Sequence, residues 1–244
     1  INFEGNGFGG IFIRNDSEKI SIIQNSNFKN LATVNSLLKR YTGSINGYGG
    51  TFILKNVAIS NGKAEDQLNI INAKVDVAGL KISNAKSDAF DCDFCKGTIK
   101  DINFLNIGGD GLDISGSDLR ISKMYATNII DKAFSVGEKS FASIDDALYD
   151  SVATGIAVKD SSIVKASNIS LKNICVDRRK INGNSSNKII GVFKKVKKYG
   201  VKIVVLIFLK KEISKNIFNI KIRLKNIKLI VINLLKNFII IYLI

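Results

Sequence analysis

Asp88, Asp91 and Asp93 lie within six residues of one another, and Asp110 and Asp113 repeat the first two after a step of 22. Lys132 holds the next place in that series. On adjacent strands such carboxylates would stand about 5 Å apart and would repel unless something neutralised them. Three arrangements fit the spacing. The row could hold Ca²⁺, which takes about six to eight oxygen ligands, with Asp91 and Asp113 as the first candidates. It could supply an acid/base pair for sugar chemistry. The plain alternative is a solvated acidic edge, neutralised by Lys86, Lys96 and Lys132. The chain has no histidine, which removes His-based general bases, nucleophile activation and His metal sites. Cys92-Asp93-Phe94-Cys95 matches Cys-x-x-Cys, but redox and zinc readings need a helix N-terminus or a second pair. Cys92 falls in register with apolar positions, so it reads as a small buried core residue.

The elements that carry the row come from a repeat. Asp66-Gln67-Leu68-Asn69, Asp88-Ala89-Phe90-Asp91, Asp110-Gly111-Leu112-Asp113, Lys132-Ala133-Phe134-Ser135 and Thr154-Gly155-Ile156-Ala157 start at a constant step of 22. Such a period marks a solenoid, in which each coil buries its core only against its neighbours. Inside each coil, Leu68/Ile70, Phe90/Cys92, Leu112/Ile114, Phe134/Val136 and Ile156/Val158 show the period of two of a strand with one face inward. Val77, Ile99 and Ile121 mark a second strand, and Leu80/Ile82, Ile102/Phe104 and Met124/Ala126 a third. Asn84, Asn106 and Asn128 also step by 22, and stacking predicts a ladder of their amides, with Asp150 next in the count. The last two coils carry one extra residue in the turn after the first strand. Gly108-Gly109 reads as a tight turn; the run that follows resembles a nonapeptide calcium repeat but occurs once. Upstream, Gly7-Phe8-Gly9-Gly10-Ile11-Phe12-Ile13 and Gly47-Tyr48-Gly49-Gly50-Thr51-Phe52-Ile53 resemble each other, predicting one or two further coils. A loop insertion is expected over 32–46, where Lys39, Arg40 and Tyr41 could wall a groove. The fold class is therefore all-β: a parallel β-helix solenoid over residues 1–172, right-handed by the rule for parallel crossovers.

The net charge of +15 belongs to the last part of the chain. Residues 1–172 carry 19 Lys/Arg and 19 Asp/Glu, whereas residues 173–244 carry 17 and 2. A basic balance usually points to nucleic acid or anionic lipid, but the solenoid itself is neutral, and no nucleic-acid partner is expected for it. Of the 72 residues from 173 on, 47 are Ile, Lys, Asn or Leu, and the 22-residue register stops. This irregular or helical C-terminal tail has three readings. Ile, Lys, Asn and Leu are what A/T-rich codons encode, so a shifted reading frame near Lys172 would produce it. It could instead cap the solenoid's open end. It could also touch a membrane through Ile227–Ile244, although two lysines inside that run cost several kcal/mol. Membrane contact is expected only if the tail is genuine. The chain opens on Ile1 and reads as a piece of a longer protein with other domains.

Residues 65–173 resemble the coils of right-handed parallel β-helix proteins of the pectate-lyase-like superfamily. The motifs Ser87-Asp88-Ala89-Phe90-Asp91, Gly108-Gly109-Asp110-Gly111-Leu112-Asp113-Ile114-Ser115-Gly116-Ser117, Lys132-Ala133-Phe134-Ser135-Val136-Gly137-Glu138-Lys139-Ser140 and Gly155-Ile156-Ala157-Val158-Lys159-Asp160-Ser161 carry it. They are similar to a β-helix module of large bacterial surface proteins, some of which also carry a spore-coat-H-type kinase-like domain. The resemblance implies a secreted or surface location and contact with polysaccharide. The superfamily's polygalacturonases use several Asp with a His and an Arg-x-Lys motif, and this chain has no His. Its pectate lyases use Asp-bound calcium and an Arg base; the one Arg in the regular coils, Arg120, lies on a different strand from the Asp row. The main expectation is a non-catalytic module, structural or carbohydrate-contacting, with no cofactor beyond a possible Ca²⁺. The alternative is a calcium-dependent polysaccharide lyase or epimerase acting through the Asp row.

Overall fold

The structure, a computed structural model, describes residues 1–34 and 41–173, together with three short strands further along the chain. Every regular element among them is a strand. Three stretches recur in each coil. The first is the tetrapeptide strand: β2 (Ile11–Arg14), β4 (Gly43–Tyr48), β6 (Asp66–Ile71), β8 (Asp88–Asp93) and β10 (Leu112–Ser115). The second and third run together as β3 (Ile20–Lys29), β5 (Thr51–Ser60), β7 (Lys74–Ala85) and β9 (Lys96–Ile107). In β11 (Asp118–Gly137) and β12 (Phe141–Val158) all three join, and β13 (Ile163–Lys172) closes the series. Every pairing between these coils is parallel. The register is the sequence period: Leu68 pairs Phe90, Phe90 pairs Leu112, Leu112 pairs Phe134 and Phe134 pairs Ile156.

The coil turns three corners, and at each the backbone enters the left-handed region that Asn, Asp and Gly tolerate best. One corner runs through Asn72, Phe94 and Gly116; a second through Asn56, Gly79, Asp101 and Lys123; the third through Asn61, Asn84, Asn106 and Asn128. At the third corner Asn84 donates to Asn61, Asn106 to Asn84 and Asn128 to Asn106, at 2.8, 3.0 and 3.1 Å. Asp150 does not continue this column. The next left-handed residue is Ser151, because the longer turn at Glu138–Lys139 delays the coil by one position. Asp150 instead accepts from Ser151 and Asn173.

Leu68, Phe90, Leu112 and Phe134 are fully buried in one column, and Leu80, Ile102 and Met124 in another, within a single core cluster that runs the length of the stack. Two coils precede Glu65, and β1 (Asn2–Glu4) adds part of a third beside β3. The two glycine-rich motifs do not occupy the same place in their coils. Ile11 pairs Ile45, whereas Thr51 pairs Ile20, so Ile11–Ile13 and Thr51–Ile53 lie on different sides. The insertion is also shorter than expected, since Gly43 already begins β4 and Ile45 and Asn46 belong to the stack. Lys39 and Arg40 lie outside the described residues, and Tyr41 packs against Phe12 with ring centroids 4.4 Å apart.

Most of the expectation for the tail lies outside the described residues. Its described pieces are the strands β14 (Ile189–Ile190), β15 (Ile203–Val205) and β16 (Ile241–Leu243), not helices. β14 pairs antiparallel with the end of β12, which breaks with the parallel rule of the coils. No helix among the described residues is long and apolar enough to cross a membrane.

Candidate functional site

The carboxylates belong to the tetrapeptide strands. The third and fifth residues of each strand point into the core, so the fourth must point out. That outward column reads Asn69, Asp91, Asp113, Ser135 and Ala157, each in register with the next. Beside it runs the column of first residues, Asp66, Asp88, Asp110 and Lys132. The two columns touch: the Asn69 amide donates to Asp66 at 3.0 Å in its own coil and to Asp91 at 3.3 Å in the next.

The first column has a structural task that explains its period. Asp88 Oδ1 accepts the backbone N–H of Asp110 at 2.7 Å, and Asp110 Oδ1 accepts the backbone N–H of Lys132 at 3.0 Å. Each carboxylate thus satisfies a backbone donor of the following coil where the ladder is interrupted by the corner. Gly109 is required here for space, since a Cβ would collide with Asp88 Oδ1. Gly108 would likewise strike the Lys86 carbonyl. The glycine pair is therefore a close-approach device at the bend before the strand, and neither residue has a left-handed backbone. Lys132 Nζ closes the series with bonds of 2.8 and 2.9 Å to Asp110 and 2.6 Å to Asp131.

The row is not a solvated edge. Asp66 and Asp110 are buried, and Asp88, Asp91, Asp93 and Asp113 are half-buried. Of the lysines expected to neutralise it, only Lys132 forms an ion pair with the row among the described residues; Lys86 and Lys96 point to solvent. The titration behaviour follows. Burial, then repulsion from Asp93, Asp66, Asp113 and Asp88, pushes the Asp91 carboxyl up to about 8. Burial and neighbouring carboxylates push Asp88 and Asp93 up to about 6. Burial also raises Asp66 and Asp113, against the lowering effect of Asn69 and Thr42 on the first and of Lys159 and Ser135 on the second. Burial lowers Lys132, but its bonds to Asp110 and Asp131 outweigh this and leave it raised. Asp113 Oδ1 and the Oγ of Ser135 are both buried, and the Ser135 hydroxyl is the donor that lowers Asp113.

Chemically this is a file of carboxyl groups along the solenoid axis, with one that keeps its proton near neutral pH. Among the described residues no three Asp, Glu or Cys side chains converge as a metal-binding group, because the row runs as a line rather than around a point. Arg120 lies across a corner on the second stretch, in register with Thr98 and Ser143, and is exposed. Cys92 and Cys95 are disulfide-bonded, with Cα atoms 5.9 Å apart and neither exposed. The sequence reading treated Cys92 as a plain core residue. The left-handed corner at Phe94 turns the chain so that Cys95 comes back against it.

A second feature escaped the sequence reading. A groove of about 440 Å³ follows the first corner, lined by Asn15, Tyr48, Asn72, Lys74, Phe94 and Lys96 among others. Tyr48 is 39% and Phe94 55% exposed. Neither lysine pairs with a described carboxylate. The available signal was Phe94, at the corner position where Asn72 and Gly116 stand in the neighbouring coils, and Tyr48, which ends its strand in the column of Ile71 and Asp93. Compared with known protein families, curated proteins and solved structures, the chain has no match.

Proposed function

We propose that this chain is a non-catalytic parallel β-helix module of a larger bacterial surface or secreted protein, and that its corner groove contacts carbohydrate. The observation that carries the reading is the groove. Tyr48 and Phe94 offer flat apolar faces for sugar C–H groups, and Lys74 and Lys96 offer donors for hydroxyls or carboxylates. Phe94 strengthens it. A phenylalanine with φ 53° sits in the column where Asn72 and Gly116 occupy the same left-handed backbone at low strain. The Phe94 ring lies over Gly116 of the next coil, and the rest of it stays exposed to the groove. The resemblance of the coils to pectate-lyase-like β-helices supports the surface location. Affinity electrophoresis against neutral and acidic polysaccharides tests the reading. Retardation by at least one glycan is expected, with loss in Tyr48→Ala/Phe94→Ala; equal mobility of wild type and variant in every gel overturns it.

The alternative, a calcium-dependent lyase or epimerase, draws support from the proton-holding Asp91 in register with the Asp113 carboxylate of the next coil. It requires unsaturated or epimerised uronate product in the presence of calcium, abolished in Asp91→Asn/Asp113→Asn. Absence of product from every uronate polymer tested removes it.

A further inference from the structure

We propose that the Cys92–Cys95 disulfide is a redox-sensitive latch that positions Phe94 in the wall of the corner groove. The groove is complete in the oxidised protein and loses that wall when a dithiol reduces the bond. What the groove binds rests on the proposed carbohydrate contact; the hold on Phe94 does not.

The first support is where the bond falls. At the first corner each coil has a buried residue two places before the left-handed one and another directly after it. These flanking pairs are Ile70/Ala73, Cys92/Cys95 and Ile114/Ser117, around Asn72, Phe94 and Gly116. Gly and Asn accept left-handed backbone readily, whereas the side chain of Phe opposes it. Of these three coils, the one with the ill-suited residue at the bend is the one whose flanks are covalently joined. Only Asp93 and Phe94 lie between the two ends of the bond, so it restricts the backbone of both.

The second support is how the next coil receives the bridge. Ser117 Oγ accepts the Cys95 N–H at 2.8 Å and donates to the Cys92 carbonyl at 2.9 Å, which ties down both ends. The Phe94 N–H donates to the Ser115 carbonyl at 2.8 Å. A Cβ on Gly116 would lie 2.6 Å from two atoms of the Phe94 ring, so the ring has a seat there that only glycine leaves open. With 55% of the residue exposed, that seat buries little apolar area to hold the ring against an unfavourable backbone. The covalent bond supplies the constraint that packing does not.

The third is the groove itself. Tyr48 and Phe94 stand on the coils either side of the one that carries Asn72 and Lys74. Movement of Phe94 leaves Tyr48 as the one remaining aromatic face. Reduction takes two electrons and two protons from the dithiol: the S–S bond breaks, Cys92 and Cys95 become thiols, and the reductant closes to its own disulfide. Phe94 is then free to leave the left-handed region, and its ring leaves Gly116.

The test uses the full 244-residue chain, oxidised and in excess dithiothreitol, with the state of Cys92 and Cys95 read by alkylation and peptide mapping. Amide hydrogen exchange at Phe94 and Cys95 is measured in both states for wild type and for Phe94→Asn, which puts at the bend the residue type of position 72. Reduction should speed exchange at these two amides roughly tenfold in wild type, the penalty a Cβ meets in the left-handed region. Ile99 and Phe104 should not change, and Phe94→Asn should respond little. Retardation by a glycan that slows the oxidised wild type should fall on reduction to the level of Phe94→Ala. Equal exchange in the two states overturns the proposal. So does equal acceleration in wild type and Phe94→Asn, since that makes the bond a general staple. A bond that survives dithiothreitol in the folded protein, undiminished retardation after reduction, or loss of the far-ultraviolet β signal on reduction also overturns it. Absence of retardation by every glycan counts against the carbohydrate contact alone, because the exchange comparison decides the latch by itself.

Discussion

Phe90→Ala is the sharpest probe of the solenoid's energetics. Phe90 is fully buried, with Leu68 against it in one neighbouring coil and Leu112 in the other. The backbone on both sides is locked in parallel register, so the site cannot collapse to refill the space. A residual cavity of order 100 Å³ at ~24 cal/mol per Å³, added to ~2 kcal/mol of lost transfer energy, gives a destabilisation of about 4 kcal/mol. Phe94→Ala removes the same atoms from a side chain that is 55% exposed and sits on a left-handed corner, so its expected effect is within ~0.5 kcal/mol. The assay is equilibrium urea unfolding followed by far-ultraviolet circular dichroism. Each coil touches only its neighbours, so Phe90→Ala should also weaken coupling between the two halves and broaden the transition. A loss below ~1 kcal/mol at Phe90, or equal losses at the two positions, would refute the stacked-core reasoning.

Asn106→Ala removes the amide that donates to Asn84 and the carbonyl that accepts from Asn128, and it leaves a non-Gly residue at φ 58°. A loss of roughly 2–3 kcal/mol is expected, with Asn106→Gly losing less because only the ladder is removed, both read by thermal melts. Gly97→Ala should fail to fold natively, since its Cβ would run into the Val75 carbonyl of the neighbouring coil; native-like melting of this variant would count against the register. Reducing Cys92–Cys95 opens a loop with a sequence separation of 3, for which loop entropy gives about 2 kcal/mol, measurable as a shift in urea midpoint with and without reductant. The buried carboxylate face carries its own repulsion. Its raised acids bind protons more tightly folded than unfolded, so stability is greatest in acid. It should fall as pH climbs from about 4 through the folded values of about 6 for Asp88 and Asp93 and about 8 for Asp91. Asp91→Asn should flatten the upper part of the slope; an unchanged profile would remove Asp91 as its source.

The coil was legible because a step of 22 aligns like with like, and parallel register turns that step directly into neighbours. Leu68, Phe90, Leu112 and Phe134 could be stacked on paper. So could Asn84, Asn106 and Asn128, where one residue type serves both the left-handed corner and the amide ladder. What failed was whatever depended on where a corner falls. Asp150 was placed one residue early, because an extra turn residue shifts the count while leaving the composition similar. The two glycine-rich motifs looked equivalent, yet they lie on different sides of their coils. The acidic row was visible, but its burial was not, and a period of two carries no information on what lies over an outward face. The hydrogen bonds from Asp88 and Asp110 to the next coil's backbone were hidden for a similar reason. They answer an interruption in the strand ladder that only the folded corner creates.

The coils have a mechanical consequence. Bonds between coils run along the solenoid axis, and the described chain enters at one end of the stack and leaves β13 at the other. Tension applied between those ends does not shear a block of strands at once. It peels the terminal coil from its single neighbour, one hydrogen bond after another, as thread leaves a spool. Each regular coil of 22 residues would release roughly 70 Å of extended chain for the ~5 Å of axial length it had occupied. A rod built this way is stiff until its end coil gives, and then lengthens in even increments while the remaining coils keep their register.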